Sequence, residues 1–110
     1  MKLLFVCSVN KHRSKTAEDY FSDKYEKTNN IFASAGTNIK TCMKEGTTPL
    51  DAWMLEWADK IYCMEKKHKQ EIMSAIGNSY NNKIEVLGIP DNYRYNQPEL
   101  IELLESKVRL

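Results

Sequence analysis

Four short apolar runs interrupt an otherwise polar chain: KLLFVC (2–7), NIFASA (30–35), KIYCM (60–64) and KIEVLGI (83–89). The first and third are nearly continuous in apolar residues, the pattern of strands buried on both faces. The fourth partly alternates, with Glu85 between Ile84 and Val86, which suits an edge strand. Segments with helical spacing lie between the runs. From Arg13 to about Glu26, Ala17, Tyr20 and Phe21 share one face, while Lys15, Asp19 and Lys24 can face water. In TTPLDAWMLEWADK (47–60) Thr48 can cap, Pro49 suits a first turn, and Asp51 falls where a capping box wants an acid. Trp53 and Trp57, spaced i, i+4, are expected to pack together as core. EKKHKQEIMSAIG (65–77) puts Ile72, Met73 and Ile76 on one side and stops at Gly77. A last helix starts near Pro98 and buries Leu100, Ile101, Leu104 and Val108. TNIKTCMKEGT (37–47) and GNSYNN (77–82) read as exposed polar loops.

This alternation predicts an α/β fold of three layers, a four-stranded parallel sheet with helices on both faces. The length of 110 residues suits one domain over 1–110. In such sheets ligands bind beyond the carboxyl ends of the strands. Cys7 lies at one such end, and IPDNYRYNQP (89–98) follows another.

Composition narrows the function. A net charge of +1 gives no electrostatic reason for a nucleic acid or a membrane partner. The longest apolar run, Leu3 to Cys7, is far short of the roughly 20 residues that cross a bilayer. No small-residue cleavage site follows it, so it does not read as a signal peptide. Three widely spaced cysteines, Cys7, Cys42 and Cys63, form neither a disulfide framework nor a zinc motif. Reduced thiols place the chain in the cytoplasm.

The stretch FVCSVNKHRSKTAE (5–18) carries the candidate chemistry. Ser8, Val9, Asn10, Lys11 and His12 link a buried strand to a helix that opens with Arg13 and Ser14. A helix N-terminus offers unpaired N–H groups and a favourable dipole to an anion. A loop curled over it can aim several amides at one oxyanion. Arg13 adds two parallel donors. The same field favours the Cys7 thiolate, and Ser14 can donate its hydroxyl to the sulfur. Such a site suits phosphoryl transfer to sulfur, with an acid nearby to protonate the leaving oxygen. A C-x5-R spacing is weak by itself, since it occurs by chance; its place between strand and helix strengthens it.

LFVCSVNKHRSKTAE (4–18) resembles the phosphate-binding loop of the low molecular weight protein tyrosine phosphatases, with the pattern V-C-x-x-N-x-C-R-S-x-x-A-E. SAGT (34–37), ADKIYCME (58–65) and IPDNY (89–93) resemble further segments of that family, in the same order. The resemblance covers nearly the whole chain and is closest to the compact bacterial branch. It implies Cys7 as nucleophile, Arg13 as phosphate clamp and Asp91 as general acid, with residues 8–14 binding phosphate. Ser14 would stabilise the thiolate. Asn10 would hold the loop backbone, with Ser34 as its hydrogen-bond partner. Tyr93 and Lys11 would flank the substrate cleft. No metal or organic cofactor is implied. The partner would be a phosphotyrosine protein or a small phosphomonoester, and the chain a monomer.

The departures concern the middle of the loop and its surroundings. His12 replaces the family's second cysteine, which can protect the nucleophile as a disulfide. Val9 replaces a glycine and Lys11 a residue that is often apolar. Asn92 replaces the proline after the acid. The chain is shorter between the second and third strands, where a helix and part of the cleft wall would lie. A phosphoprotein, a phosphorylated small molecule and a nucleotide all fit this more basic, more open rim. Two alternatives compete with hydrolysis: a phosphate-binding pseudo-phosphatase, and arsenate reduction, which needs two further cysteines close together. Elsewhere His68 and the lysines around it read as a solvated face. Cys42 reads as an inert loop thiol and Glu18 as a surface residue without a chemical role.

Overall fold

In the computed structural model, which describes residues 1–110, β1 (Lys2–Cys7) is central. It pairs in parallel with β2 (Ile31–Gly36) on one side and β3 (Lys60–Cys63) on the other. β4 (Ile84–Val86) adds to β3, so the all-parallel sheet has the order β2-β1-β3-β4. α1 (Arg13–Lys24) and α5 (Pro98–Lys107) cover one face, and α3 (Ala52–Trp57) and α4 (Lys66–Ile76) the other. The three-layer α/β fold read from the sequence is the fold observed.

The period-2 geometry of β1 explains why its run is apolar from Leu3 onward. Leu3, Phe5 and Cys7 join the core beneath α1 and α5, while Leu4 and Val6 join the core beneath α3 and α4. Phe5 stacks on Phe21, Phe32 and Tyr62 with ring centroids 5.4–6.3 Å apart. Each such ring removed from water contributes on the order of 2 kcal/mol. β4, with Glu85 and Val86 exposed, is the edge strand its alternation suggests.

Residues 37–47 differ most from expectation. They hold a helix, α2 (Ile39–Glu45), where the polar composition suggests a loop. Asn38 Oδ1 caps it by accepting the Thr41 N–H at 3.1 Å, and Gly46 ends it in the left-handed conformation at φ 75°. It lies between β2 and β3, ahead of α3, the helix that 47–60 predicts. Thr48 and Pro49 do not open α3. They run beside the end of β2, where Gly36 N–H donates to Thr48 O and Leu50 N–H to Gly36 O. Asp51 is therefore the N-cap residue. Trp53 is 59% exposed rather than core, and Trp57 is half-buried with the Lys2 ammonium 5.9 Å from its ring. Of the α4 stripe only Ile72 is buried; Met73 and Ile76 are exposed. In α5, Leu100 and Leu104 are buried, followed by Val108, while Ile101 is half-buried. No helix is long and apolar enough to cross a membrane.

Candidate active site

The loop after β1 is shaped from behind, through its carbonyl groups. Cys7 O accepts from Thr37 N–H at 2.9 Å, Ser8 O from Asn38 N–H at 2.8 Å, and Val9 O from the Thr47 hydroxyl at 2.6 Å. Cys42, fully buried on α2, also directs its thiol to Val9 O at 3.4 Å. Three successive carbonyls thus face β2 and α2. The N–H groups of Ser8, Val9, Lys11 and His12 donate to no acceptor of the protein. Asn10, buried at φ 58°, turns the chain back over the helix end. Its Oδ1 accepts Thr48 N–H at 3.2 Å and its Nδ2 donates to Ser14 Oγ at 2.8 Å. The chain can fold this tightly because residue 36 is glycine. A Cβ there would lie 2.5 Å from Cys42 Sγ and 2.6 Å from Ser8 O.

At the floor of the loop Cys7 Sγ lies 3.0 Å from Ser14 Oγ and receives the Asn10 N–H at 3.3 Å. Asn10 already donates to Ser14 Oγ, so the Ser14 proton is available to the sulfur. Two donors thus converge on the sulfur at the floor of the cup. Arg13, 2% exposed, opens α1 and extends across the carboxyl edge of the sheet. Its Nη1 donates to Glu65 Oε2 at 2.5 Å and to Ile89 O at 2.8 Å. Asp91 Oδ1 is 3.7 Å from Arg13 Nε, and its side chain is 66% exposed. The cavity bounded by these groups is about 280 Å³. Its rim is formed by Lys11, His12, Thr41 and Glu45, and no Phe, Tyr or Trp side chain lines it.

The structure brings Cys7, Arg13, Asp91 and residues 8–14 to one place. Two expected site residues lie elsewhere. Ser34 donates not to Asn10 but to Glu18 Oε1, at 2.5 Å, tying β2 to α1. Glu18 therefore has a structural partner. Tyr93 packs half-buried against the core beneath α5 and does not line the cavity. Lys11 is on the rim but paired with Glu45 at 3.0 Å. The Glu45 carboxyl is held below the usual range by that ammonium.

Three contributors escaped the sequence reading. Cys42 is a packed support of the loop. Glu65, just before α4, anchors Arg13, and that guanidinium lowers its pKa. His68 is fully buried, not solvated: its Nδ1 accepts Glu65 N–H at 3.0 Å, and its Nε2 lies 3.0 Å from Ser8 Oγ. The box formed by Glu65 and His68 at the start of α4 was the available signal. Ser-to-Gln versions of that box are familiar, whereas Glu-to-His is not. No group of three or more His, Cys, Asp or Glu side chains is gathered as metal ligands.

Chemically, a cup of free amides, a fixed guanidinium and a hydrogen-bonded thiol can seat a tetrahedral oxyanion above a nucleophilic sulfur. No protein-family model and no curated protein sequence matches the chain. Solved structures do. A YwlE mutant from Bacillus subtilis shares 26% identity and a TM-score of 0.71 over 94% of this chain and 93% of its own. A low molecular weight protein tyrosine phosphatase from Bacillus subtilis shares 26% at 0.68, over 94% and 92%. The arginine phosphatase YwlE, in a cysteine-to-serine variant with a phosphorylated active-site serine, shares 25% at 0.69, over 94% and 91%.

Proposed function

From membership of the low molecular weight protein tyrosine phosphatase family, to which this chain belongs, we infer that it hydrolyses phosphate monoesters through a cysteinyl-phosphate intermediate, with protein phosphotyrosine as substrate. The observation that carries this reading is the sulfur of Cys7, hydrogen-bonded by Ser14 and Asn10 at the floor of an amide cup.

The phosphoryl oxygens accept from the free loop amides and from Arg13. The Cys7 thiolate attacks phosphorus in line, forming S–P as the ester P–O bond breaks. Protonated Asp91 gives its proton to the leaving phenolate. Water then attacks the thiophosphate, the Asp91 carboxylate takes its proton, and inorganic phosphate leaves as the S–P bond breaks. The amides and Arg13 stabilise the charge of both transition states without moving. Ser14 receives the sulfur back as thiolate.

Cys7→Ser abolishes p-nitrophenyl phosphate turnover while circular dichroism and melting temperature stay unchanged. Undiminished turnover in that variant ends the reading. Oxyanion binding by the wild type without turnover of any phosphorylated substrate would make the chain a binding module instead.

A second substrate, phosphoarginine, is favoured by one feature. The rim carries the Glu45 carboxylate, shared with Lys11, and no Phe, Tyr or Trp side chain, which suits a guanidinium better than a phenol ring. There the bond broken is P–N, and Asp91 protonates the leaving nitrogen. Matched phosphotyrosine and phosphoarginine peptides, compared by kcat/KM, separate the two.

A further inference from the structure

We propose that His68 is a positioning residue that holds the Ser8 hydroxyl as a hydrogen-bond donor to the oxyanion seated above Cys7. The proposal deepens the phosphatase reading and rests on its oxyanion seat.

The hydrogen bonds fix the polarity of the pair. His68 sits in the first turn of α4, and its Nδ1 accepts the Glu65 N–H at 3.0 Å. A neutral ring with an accepting Nδ1 carries its proton on Nε2. That proton goes to Ser8 Oγ, 3.0 Å away. Ser8 Oγ is therefore the acceptor in this bond, and its own proton must go elsewhere. It has no other partner in the protein, and Ser8 lines the cavity beside Cys7. The hydroxyl proton points to where the oxyanion sits, alongside the free loop amides.

The ring is kept neutral by its surroundings. Burial, with Arg13 and Lys67 nearby, pushes the His68 pKa down to about 4, against the opposing pull of Glu65 and Asp91. α4 thereby supports the loop at both ends, through His68 to Ser8 and through Glu65 to Arg13. An apolar residue at 68 would leave the Ser8 hydroxyl free to rotate and Glu65 N–H without its acceptor.

Two replacements separate the two bonds of the ring. Asparagine can present Oδ1 to Glu65 N–H in place of Nδ1 but is too short to reach Ser8. Glutamine can carry its amide nitrogen to the place of Nε2. The full chain is titrated with sodium tungstate by calorimetry, and p-nitrophenyl phosphate kinetics are recorded alongside. Ser8→Ala and His68→Asn should each weaken tungstate binding about tenfold, and the double variant no more than Ser8→Ala alone. His68→Gln should stay within about threefold of wild type. A merely structural histidine would lower the melting temperature and leave tungstate affinity unchanged. That result overturns the proposal, as do additive losses in the double variant, equal losses in His68→Asn and His68→Gln, or a wild type that binds no tungstate. If His68→Asn does not fold, Ser8→Ala decides, since it leaves α4 untouched: unchanged affinity overturns the proposal. The expected binding pattern without turnover in the wild type would support His68 and defeat the phosphatase reading.

Discussion

Arg13 and Glu65 meet at 2.5 Å although they belong to opposite sides of the sheet, Arg13 opening α1 and Glu65 preceding α4. The guanidinium shares the same Nη1 with Ile89 O, so one nitrogen is committed to structure. Its Nη2 remains for an oxyanion. A nearly buried Arg13 against a carboxylate 30% exposed is an ion pair whose value lies in orientation. Glu65→Ala should lower kcat/KM by roughly 10- to 100-fold, mostly through kcat. Glu65→Gln, which keeps one acceptor for Nη1, should lose less. Steady-state kinetics check both, and an unaffected Glu65→Ala would mean that Ile89 O and the loop suffice to aim Arg13.

Asp91 is the most exposed of the proposed catalytic groups, within 3.7 Å of Arg13 Nε. A general acid matters in proportion to how badly the leaving group needs a proton. Asp91→Asn should slow phenyl phosphate by about 100-fold or more, and p-nitrophenyl phosphate much less. Rates across a series of substituted phenyl phosphates give the test. A leaving-group dependence equal to that of the wild type would remove Asp91 from the acid role.

Gly36 makes the closest approach of β2 to the loop. An alanine methyl would collide with backbone at Ser8 O and Val9 C, 2.6 and 2.9 Å away, and with Cys42 Sγ. Backbone cannot yield as a flexible side chain does. Gly36→Ala should cost about 2 kcal/mol or more of stability and at least tenfold in oxyanion affinity. Urea unfolding and a tungstate titration measure the two. A variant with native affinity would show that the loop can shift without losing its cup.

The contrast between what was legible in the sequence and what was not follows from the kind of force involved. β1 and β3 announce themselves because both faces are buried, so every position after the opening lysine is apolar or aromatic. Arg13 and Cys7 could be placed because strand and helix bracket them. α2 was missed because its composition is polar and it is short. Its evidence was local, Asn38 as cap and Gly46 as stop. His68 was misread, and Glu65 passed over, because charged and polar letters in and beside a helix usually face water. Only tertiary pairing with Ser8 and Arg13, 60 and 52 residues away, shows why they do not. Ser34 and Tyr93 show the converse. The motif places them near the loop, and local packing sends the first to Glu18 and the second to the core.

The three thiols should separate cleanly by reactivity. Burial pushes Cys63 up to about 12, and Cys42 is wholly enclosed against Gly36 and the loop. Cys7 alone opens on the cavity. Iodoacetamide at neutral pH should label only Cys7 in the native protein, and all three in urea. Inorganic phosphate should slow the labelling of Cys7. Mass spectrometry of digested samples reads the sites, and native labelling of Cys63 would contradict its burial in β3.

His68 also links stability to acid. Its folded pKa of about 4 lies below the ordinary 6.5, so above pH 6.5 both folded and unfolded chains leave it neutral. As pH falls through 6.5 the unfolded chain takes up a proton that the folded chain refuses. Stability therefore drops from about pH 6.5 and continues to drop until the folded ring protonates near pH 4. The loss from this one group amounts to roughly 3 kcal/mol at pH 4. Glu65, its pKa lowered chiefly by Arg13, loses its own stabilisation in a more acid range, below the usual carboxylate value. His68→Asn has nothing to titrate there. Unfolding free energies from urea titrations at pH 7.5, 5.5 and 4 should show the wild-type advantage over His68→Asn shrinking by roughly 3 kcal/mol across the series. Parallel pH profiles for the two proteins would mean that the imidazole is solvated enough to charge in place, and with it the fixed polarity of the Ser8 bond would be lost.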